Sequence, residues 1–186
     1  LDQGQDGACV GFGMAHELIA LPVAVKGITN KYAKETIYFG AQMRDEWEGG
    51  AYPGAKPFYE GTSVKAGAET MKALGWIEEY RWAFGLWDVL SALSHLGPVV
   101  LGIEWREKME STDAKGFIHF SGAVMGSHCI LANENDMKEK RVRLHQSWGK
   151  SWGVQGDCFI SYTDLGKALS RNGEACVPFG RKEKPL

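Results

Sequence analysis

The stretch Gln-Ser-Trp-Gly-Lys-Ser-Trp-Gly, residues 146–153, is the most distinctive segment of the chain. Its two Trp-Gly pairs lie four residues apart, a spacing that core packing alone does not explain. Glycine lets the backbone turn sharply beside a bulky ring. The first tryptophan, Trp148, is well placed to keep water away from a hydrogen bond made by Gln146. The stretch therefore indicates a functional turn.

The residues just before this turn alternate strictly in character, which predicts a β-strand over residues 140–147. Gln146 lies on the inward face of this strand, together with Val142 and Leu144. Four further strands are predicted in the second half of the chain. They cover residues 99–103, 116–120, 128–131 and 157–162.

The first half of the chain is predicted to be helical. Apolar periodicity and capping signals indicate helices from Cys9 to Pro22 and over residues 29–44, 63–74 and 86–96. Residues 48–61 are rich in glycine and proline and predict a loop. Helices followed by antiparallel strands give an α+β fold of two lobes in a single domain, 1–186. The helical lobe is expected at about 1–97 and the β lobe at about 98–186, with a functional site between them.

Cys9 follows a polar, glycine-containing loop and begins the first predicted helix. The unpaired N–H groups and the positive dipole end of a helix favour a thiolate over a thiol. Gln3, six residues upstream, can place a side-chain amide donor beside the sulfur. The alternative is that Cys9 is a small buried apolar residue, and this stretch alone does not decide between the two.

A thiolate nucleophile needs a base, a group that orients the base, and donors for the oxyanion. His128 opens a predicted strand, and Gln146 lies on the inward face of the next strand, so they are candidates for base and orienting group. His145 remains an alternative orienting group if a bulge flips its strand. The other histidines, His16, His95 and His119, are expected to be packing or surface residues.

The chain resembles the papain family of cysteine peptidases, and most closely the disulfide-poor branch found in bacteria and their phages. Three segments carry the resemblance in the family's order: QGQDGAC at 3–9, GSHCI at 126–130, and the stretch at 146–153 with Gly156 after it. His128 and Gln146 follow Cys9 by 119 and 137 residues, similar to the roughly 130–150 residues known for such enzymes.

The resemblance implies a role for each matching residue. Cys9 is the nucleophile, paired as a thiolate with the His128 imidazolium. Gln3 and the Cys9 backbone N–H form the oxyanion hole, Gln146 orients His128, and Trp148 shields that pair. The implied activity is hydrolysis of peptide or isopeptide bonds through a thioester, with a polypeptide substrate, no cofactor and no metal.

The resemblance also implies substrate contacts. Glu60-Gly61-Thr62 is the nearest match to the strand edge that pairs with the substrate backbone, although Gly61 and Thr62 are equally consistent with a simple turn leading into a helix. Cys129 falls where the family lines its main specificity pocket. Trp152 is expected in the core.

Several positions depart from the family pattern. Asp6 replaces the upstream cysteine, so the family's disulfide cannot form there, and Val10 replaces an aromatic residue. Gln146 replaces the orienting asparagine, and only Leu1 and Asp2 precede Gln3, where the family has a strand. Two alternatives follow: a catalytically weak binding or structural module, or another acyl-transfer enzyme such as a cell-wall peptide hydrolase or a transamidase.

Composition limits the classes of partner. A net charge of −2 and a pI near 6.2 give no global attraction to nucleic acid or to anionic membranes. No apolar run approaches the roughly 20 residues of a membrane span, and no signal peptide is visible. The chain begins at Leu1, which suggests a processed product or a part of something longer.

The four cysteines contain no CxxC pair, so a zinc site is not expected. A reducing compartment is the default, which predicts a cytoplasmic or virion-associated protein. Cysteine count alone leaves a Cys158–Cys176 bridge open, but no structural disulfide is expected, because Asp6 occupies the family's bridging position and the other cysteines lack the family's pattern.

Overall fold

The computed structural model describes residues 1–183 and residue 186. Within these residues there are five α-helices: α1 Cys9–Ile19, α2 Phe39–Gln42, α3 Val64–Ala73, α4 Leu86–His95 and α5 Tyr162–Ser170. A π-helical segment, Tyr32–Tyr38, leads directly into α2, and a 3-10 turn covers Glu107–Met109. Six strands follow or separate the helices: β1 Glu79–Trp82, β2 Val99–Arg106, β3 Val124–Asp136, β4 Arg141–His145, β5 Asp157–Ser161 and β6 Glu174–Phe179.

The six strands form one sheet in the order β1-β6-β2-β3-β4-β5, with antiparallel pairing throughout. His128 lies in β3 opposite Ile103 of β2, and Gln146 directly follows the last residue of β4. The predicted fold class is confirmed, because the chain combines helices with an antiparallel sheet in an α+β arrangement.

The two faces of the sheet carry separate apolar cores. Helices α1 and α3 pack with Val100, Cys129 and Leu131 on one face. Helices α4 and α5 pack on the other face, with Leu101 and Ile103. Neighbouring residues of a strand point to opposite faces, which explains why Val100 and Leu101 belong to different cores. Helix α4 therefore packs with the sheet, although it precedes the lobe boundary expected near residue 97.

Glycines let α1 approach its neighbours closely. A Cβ added at Gly11 would lie 2.5 Å from the Cβ of Tyr38, and one at Gly13 would lie 2.7 Å from Cys129 Sγ. Both distances are well inside van der Waals contact, so only glycine fits without movement. This close contact fixes α1, and with it Cys9, against β3.

The helix boundaries agree well with three of the predictions from periodicity. Helix α3 begins after Ser63, whose side chain accepts a hydrogen bond from the Ala66 N–H, as an N-cap does. Helix α4 also ends within one residue of expectation, and α1 begins at Cys9 as predicted but ends at Ile19, three residues before Pro22. The helix predicted over 29–44 instead contains the π-helical segment. Apolar periodicity does not show whether each N–H bonds to the carbonyl four or five residues before it.

The strand predicted over 116–120 is wrong: there Phe117 forms only an isolated bridge with Phe159. Three elements, β1, α5 and β6, lie outside the sequence-based predictions. Strand β1 has only four residues, and β6 contains Pro178, which weakens a strand signal. No helix in the described part of the chain is both long and apolar enough to cross a membrane.

Candidate active site

Cys9 is the first residue of α1 and is half-buried. Its side chain lines a cavity of about 450 Å³ between the first turn of α1 and strands β2 and β3. His128, Gly61, Thr62 and Cys129 line the same cavity. Five of the candidate site residues are thus brought together around one opening in the surface.

His128 is oriented by Gln146. The Nε2 atom of His128 lies 2.6 Å from Oε1 of Gln146. The same Oε1 accepts a 2.9 Å hydrogen bond from the backbone N–H of Ser147, which identifies this atom as the oxygen of the amide. An amide oxygen only accepts, so Nε2 of His128 is the protonated nitrogen. Nδ1 is therefore the basic nitrogen of the neutral ring and is left to accept a proton.

Two tryptophan rings enclose the imidazole. Trp148 lies against His128 with ring centroids 5.0 Å apart and a tilt of 36°, and Trp105 meets the imidazole edge-on at 4.8 Å. His128 is only 7% exposed and Gln146 only 1%. The rings exclude water from the His128–Gln146 hydrogen bond, and this strengthens the bond because the local dielectric is low.

Trp105 is a site residue that the sequence predictions omit. The apolar run used to predict β2 ends at Ile103, but the strand continues to Arg106. Its burial alternates from residue 101 onward, so Ile103 and Trp105 point to the same face. Extending the period-2 pattern by two residues would have placed Trp105 beside the histidine strand.

Burial disfavours the charged form of Cys9 and the charged form of His128 when either group ionises alone. It raises the pKa of the Cys9 thiol, although the backbone N–H groups of Cys129 and Val10 act in the opposite direction. Burial also lowers the pKa of His128 to about 4, and the hydrogen bond that His128 donates to Gln146 offsets part of this effect. Desolvation thus outweighs the helix N-terminus. Taken separately, both groups are therefore held in their neutral forms by burial.

Gln3 lies in an adjoining cavity, next to Trp148. Its backbone N–H donates to the carbonyl of Ser147 at 2.8 Å, and its side-chain oxygen accepts from the Ser147 hydroxyl. The side-chain NH₂ donates one hydrogen to the carbonyl of Asp6 at 2.8 Å, and an amide nitrogen carries a second. Ser147 therefore holds Gln3 in place, and one hydrogen of its side-chain NH₂ is left without a partner among the described residues.

Gly61 and Thr62 are both held by hydrogen bonds within the protein. The Gly61 N–H donates to the Tyr38 hydroxyl at 2.9 Å, and its carbonyl accepts from Gln42 at 3.0 Å. Both backbone groups of Gly61 are thus already used inside the protein. The Thr62 hydroxyl donates to Asp45 at 2.7 Å, which fixes this side chain at the edge of the cavity.

Cys129 is buried under the floor of the cavity. Its sulfur packs against Gly13 of α1, and burial raises the pKa of its thiol. The other two cysteines, Cys158 and Cys176, are also buried, and all four cysteines are free. The Cys158–Cys176 bridge left open by the sequence is absent. Among residues 1–183 and 186, no group of three or more His, Cys, Asp or Glu side chains is arranged to hold a metal ion.

His145 does not orient His128. Its Nδ1 pairs with Asp157, and its ring contacts that of His16 at 4.3 Å. Gln146, one residue on, makes the bond to His128 instead. The alternation predicted for this strand holds, since Val142 and Leu144 are fully buried while Arg143 and His145 are half-buried.

Comparison with solved structures identifies similar folds. Xylellain, a cysteine protease from Xylella fastidiosa, superposes with a TM-score of 0.71 at 15% sequence identity, covering 97% of this chain and 82% of that one. This chain has the papain-like fold. No family model matches the sequence, and no curated protein matches it either.

Two further structures show the same fold. The bromelain protease from Ananas comosus, in complex with the E64 inhibitor, has a TM-score of 0.65 at 13% identity and covers 97% of this chain and 92% of its own. Digestive procathepsin L 3 of Tenebrio molitor larval midgut also has a TM-score of 0.65, at 15% identity, over 96% of this chain and 65% of its own. At sequence identities this low, the similarity shows that the fold is shared and nothing further.

Proposed function

We propose that this chain is a cysteine peptidase that hydrolyses peptide or isopeptide bonds of a polypeptide through a thioester on Cys9. The observation that carries the proposal is the Gln146–His128 hydrogen bond, which fixes the imidazole tautomer with its basic nitrogen, Nδ1, free. The half-buried thiol of Cys9, at the N-terminus of α1, lines the same cavity as His128. Nucleophile, base and orienting group are the parts that acyl transfer needs.

The reaction follows from these positions. The thiol proton of Cys9 moves to Nδ1 of His128, and the thiolate attacks the substrate carbonyl. Gln3 and the Cys9 backbone N–H donate to the oxyanion, where each donor contributes roughly 10²–10³ in rate. The His128 imidazolium then protonates the leaving amine, the C–N bond breaks and a thioester remains. His128 finally takes a proton from water as the water attacks the thioester. The C–S bond breaks, the carboxylic acid product leaves, and His128 returns the proton to the Cys9 sulfur.

Burial of the charged pair gives this cycle a physical rationale. Because water is excluded by Trp105 and Trp148, thiolate and imidazolium interact strongly, while each alone is disfavoured. Proton transfer is thereby coupled to attack. Gln146 contributes by accepting from Nε2–H in both charge states of the ring, so the ring orientation is kept through the cycle.

The test is cleavage of an internally quenched peptide library and of an unfolded protein, comparing the wild type with Cys9→Ala. Cys158→Ala is the matched control, because Cys158 lies in the core on the opposite face of the sheet. We expect cleavage by the wild type and the control and none by Cys9→Ala. A folded wild type that cleaves neither substrate would instead favour a binding or structural module.

A further inference from the structure

One side of the candidate active-site cavity is formed by a short irregular strip of chain. Gly61 and Thr62 line the same cavity as Cys9, and residues 59–62 are here called the rim segment. Gly61 has a φ of +94°, a backbone conformation that favours glycine. The rim segment belongs to neither a helix nor a strand, so its geometry depends on side chains that hold it from elsewhere in the protein.

Gln42, the last residue of α2, holds the backbone of the rim segment from inside the protein. Its Nε2 donates to the carbonyls of Gly61 at 3.0 Å and Tyr59 at 3.3 Å, and to the Tyr38 hydroxyl at 3.0 Å. Its Oε1 accepts from the Ala51 N–H at 2.8 Å, which identifies the oxygen of the amide. Gln42 is only 1% exposed, so both ends of its amide are used within the protein.

Tyr38 connects this network to the helix that carries Cys9. The Tyr38 hydroxyl accepts from the Gly61 N–H at 2.9 Å, and Tyr38 is also 1% exposed. Its Cβ lies where a Cβ added at Gly11 of α1 would be 2.5 Å away, so Tyr38 packs closely against α1. A buried polar network whose members are paired holds a single geometry. Tyr38 and Gln42 together therefore fix the rim segment relative to α1 and its first residue, Cys9.

The side chains of the rim segment have a separate anchor. The carboxylate of Asp45 accepts from the Thr62 hydroxyl at 2.7 Å and from the Tyr59 hydroxyl at 3.0 Å. Gln42 thus bonds the backbone of the rim segment, and Asp45 bonds its side chains. Loss of the Gln42 amide would leave the rim segment attached through Asp45 while its backbone becomes free to shift.

We propose that Gln42 is a positioning residue for the substrate: it holds the backbone of the rim segment at the distance from Cys9 that lets a bound peptide lie across the cavity. The inference rests on the proposed function, because the position of the rim segment matters only if the cavity binds a peptide. Gln42 acts through Gly61 and does not touch the reacting atoms. Its loss should therefore weaken peptide binding and leave the Cys9–His128 pair unchanged.

The test is Gln42→Met, which keeps the length of the side chain and removes the amide that donates to the rim segment. We expect KM for a quenched peptide to rise roughly tenfold, the worth of one well-placed hydrogen bond. We expect kcat to stay within about twofold, because a contact made equally in the ground state and the transition state affects KM alone. Alkylation of Cys9 by iodoacetamide should keep its wild-type rate, since this small reagent does not need the rim segment.

The matched control is Asn135→Leu, which also replaces an amide by an apolar side chain of similar size. The Asn135 Nδ2 donates to the carbonyl of Leu90 at 3.3 Å and to the Ser94 hydroxyl at 2.9 Å, and Leu90 belongs to the core on the other face of the sheet. This control should keep the wild-type KM. It measures what the loss of a similar amide network costs in stability alone.

A purely structural role of Gln42 has a different signature. Loss of stability reduces the number of active molecules, which lowers kcat and leaves KM unchanged. A folded Gln42→Met with the wild-type KM, whether or not its kcat falls, overturns the proposal. Should Gln42→Met fail to fold, Tyr38→Phe decides, because it removes only the hydroxyl that accepts from Gly61. A raised KM in Tyr38→Phe supports the proposal, and an unchanged KM overturns it.

Failure of the positioning role is distinguishable from failure of the peptidase activity. Cys9→Ala cannot form a thioester, so its affinity for a labelled peptide is measured by fluorescence anisotropy, with and without Gln42→Met. If the wild type cleaves peptides but neither KM nor affinity responds to Gln42→Met, only the positioning role fails. If nothing is cleaved but Gln42→Met weakens peptide binding, the peptidase proposal fails and the positioning role stands. If the peptide is neither cleaved nor bound, both proposals fail.

Discussion

Among single residues, the most informative departure from the papain-family pattern is the glutamine at position 146. Its oxygen bonds both the His128 Nε2–H and the Ser147 N–H. A glutamine side chain, one methylene longer than asparagine, thus reaches both groups from this backbone position. The shorter asparagine of the papain family would fall short from the same backbone position.

We therefore expect Gln146→Asn to lower kcat towards that of Gln146→Ala. Loss of one neutral hydrogen bond of about 1 kcal/mol predicts a reduction of roughly fivefold to tenfold. Both variants should stay well above Cys9→Ala, since the oxyanion donors remain. Steady-state kinetics with one peptide substrate measures this. Full activity of both variants would show that Gln146 does not orient the base.

The sequence predicts the polar residues of this site better than the apolar ones. Cys9, His128 and Gln146 are recognisable because few residue types suit the roles proposed for them, and each lies in a distinctive motif. Trp105 contacts the same imidazole, but a tryptophan in a strand has no signal that separates packing from shielding. Likewise, only the structure shows that the Gly61 backbone is already occupied by Tyr38 and Gln42.

At the scale of elements, the position of α1 depends on its contact with the π-helical segment. Gly11 faces this segment, and an added Cβ would lie 2.6 Å from the carbonyl oxygen of Ala33 as well as close to Tyr38. By contrast, Gly166 of α5 has its nearest neighbour at 3.7 Å, an ordinary contact. The two helical glycines thus differ in the space around them.

We expect Gly11→Ala to lower the free energy of unfolding by about 1–3 kcal/mol, the usual cost of overpacking. Gly166→Ala should raise it by up to about 1 kcal/mol, because alanine is the better helix former. Denaturant midpoints at constant m-value measure both changes. A Gly11→Ala variant as stable as the wild type would contradict the close packing of α1.

Elements with strong local signals are those that the sequence predicts correctly. Helix α3 has its capping serine, and β4 has strict alternation with a buried face. The pairing of β1 with β6 joins residues about a hundred positions apart, and neither short strand has a pattern that indicates its partner. Contacts of that kind are set by the tertiary fold, which local periodicity does not encode.

At the scale of the whole molecule, buried titratable groups make stability depend on pH. His16 is 1% exposed, and within the described residues neither ring nitrogen has a hydrogen-bond partner. Burial, aided by the nearby His145, lowers the pKa of His16 to about 2. Below pH 6.5 the unfolded chain therefore binds a proton that the folded chain does not. The free energy of unfolding should fall on acidification through this window.

The same sign applies to His128, whose pKa is also lowered, and the opposite sign to Glu17. Burial raises the pKa of Glu17 to about 7, although Arg181 opposes the shift, so between pH 7 and 4.5 the folded state holds a proton that the unfolded state lacks. The contribution of His16 is isolated by His16→Phe, which keeps a ring against His145 and removes the titrating group.

We expect the free energy of unfolding of His16→Phe to fall less steeply between pH 6.5 and 4.5 than that of the wild type. The difference in slope should approach 1.4 kcal/mol per pH unit, the value for one proton. Urea unfolding across this range measures the slopes, and a uniform change of stability does not affect them. Parallel curves would show that His16 titrates equally in both states.

The central claim is that Cys9 is an activated nucleophile paired with His128. The most direct measurement is the rate at which each of the four cysteines is alkylated by limiting iodoacetamide at pH 6, mapped by mass spectrometry. Cys9 is more exposed than the other three cysteines and would be alkylated faster for that reason alone. Its rate in the folded protein is therefore compared with its rate in the unfolded chain, where the thiol is unperturbed.

We expect Cys9 to react faster in the folded protein than in the unfolded chain, and His128→Ala to remove that advantage while the three buried cysteines stay protected. Faster modification of Cys129, Cys158 or Cys176, or a folded-state rate for Cys9 that is slower than the unfolded rate and insensitive to His128→Ala, would contradict the account.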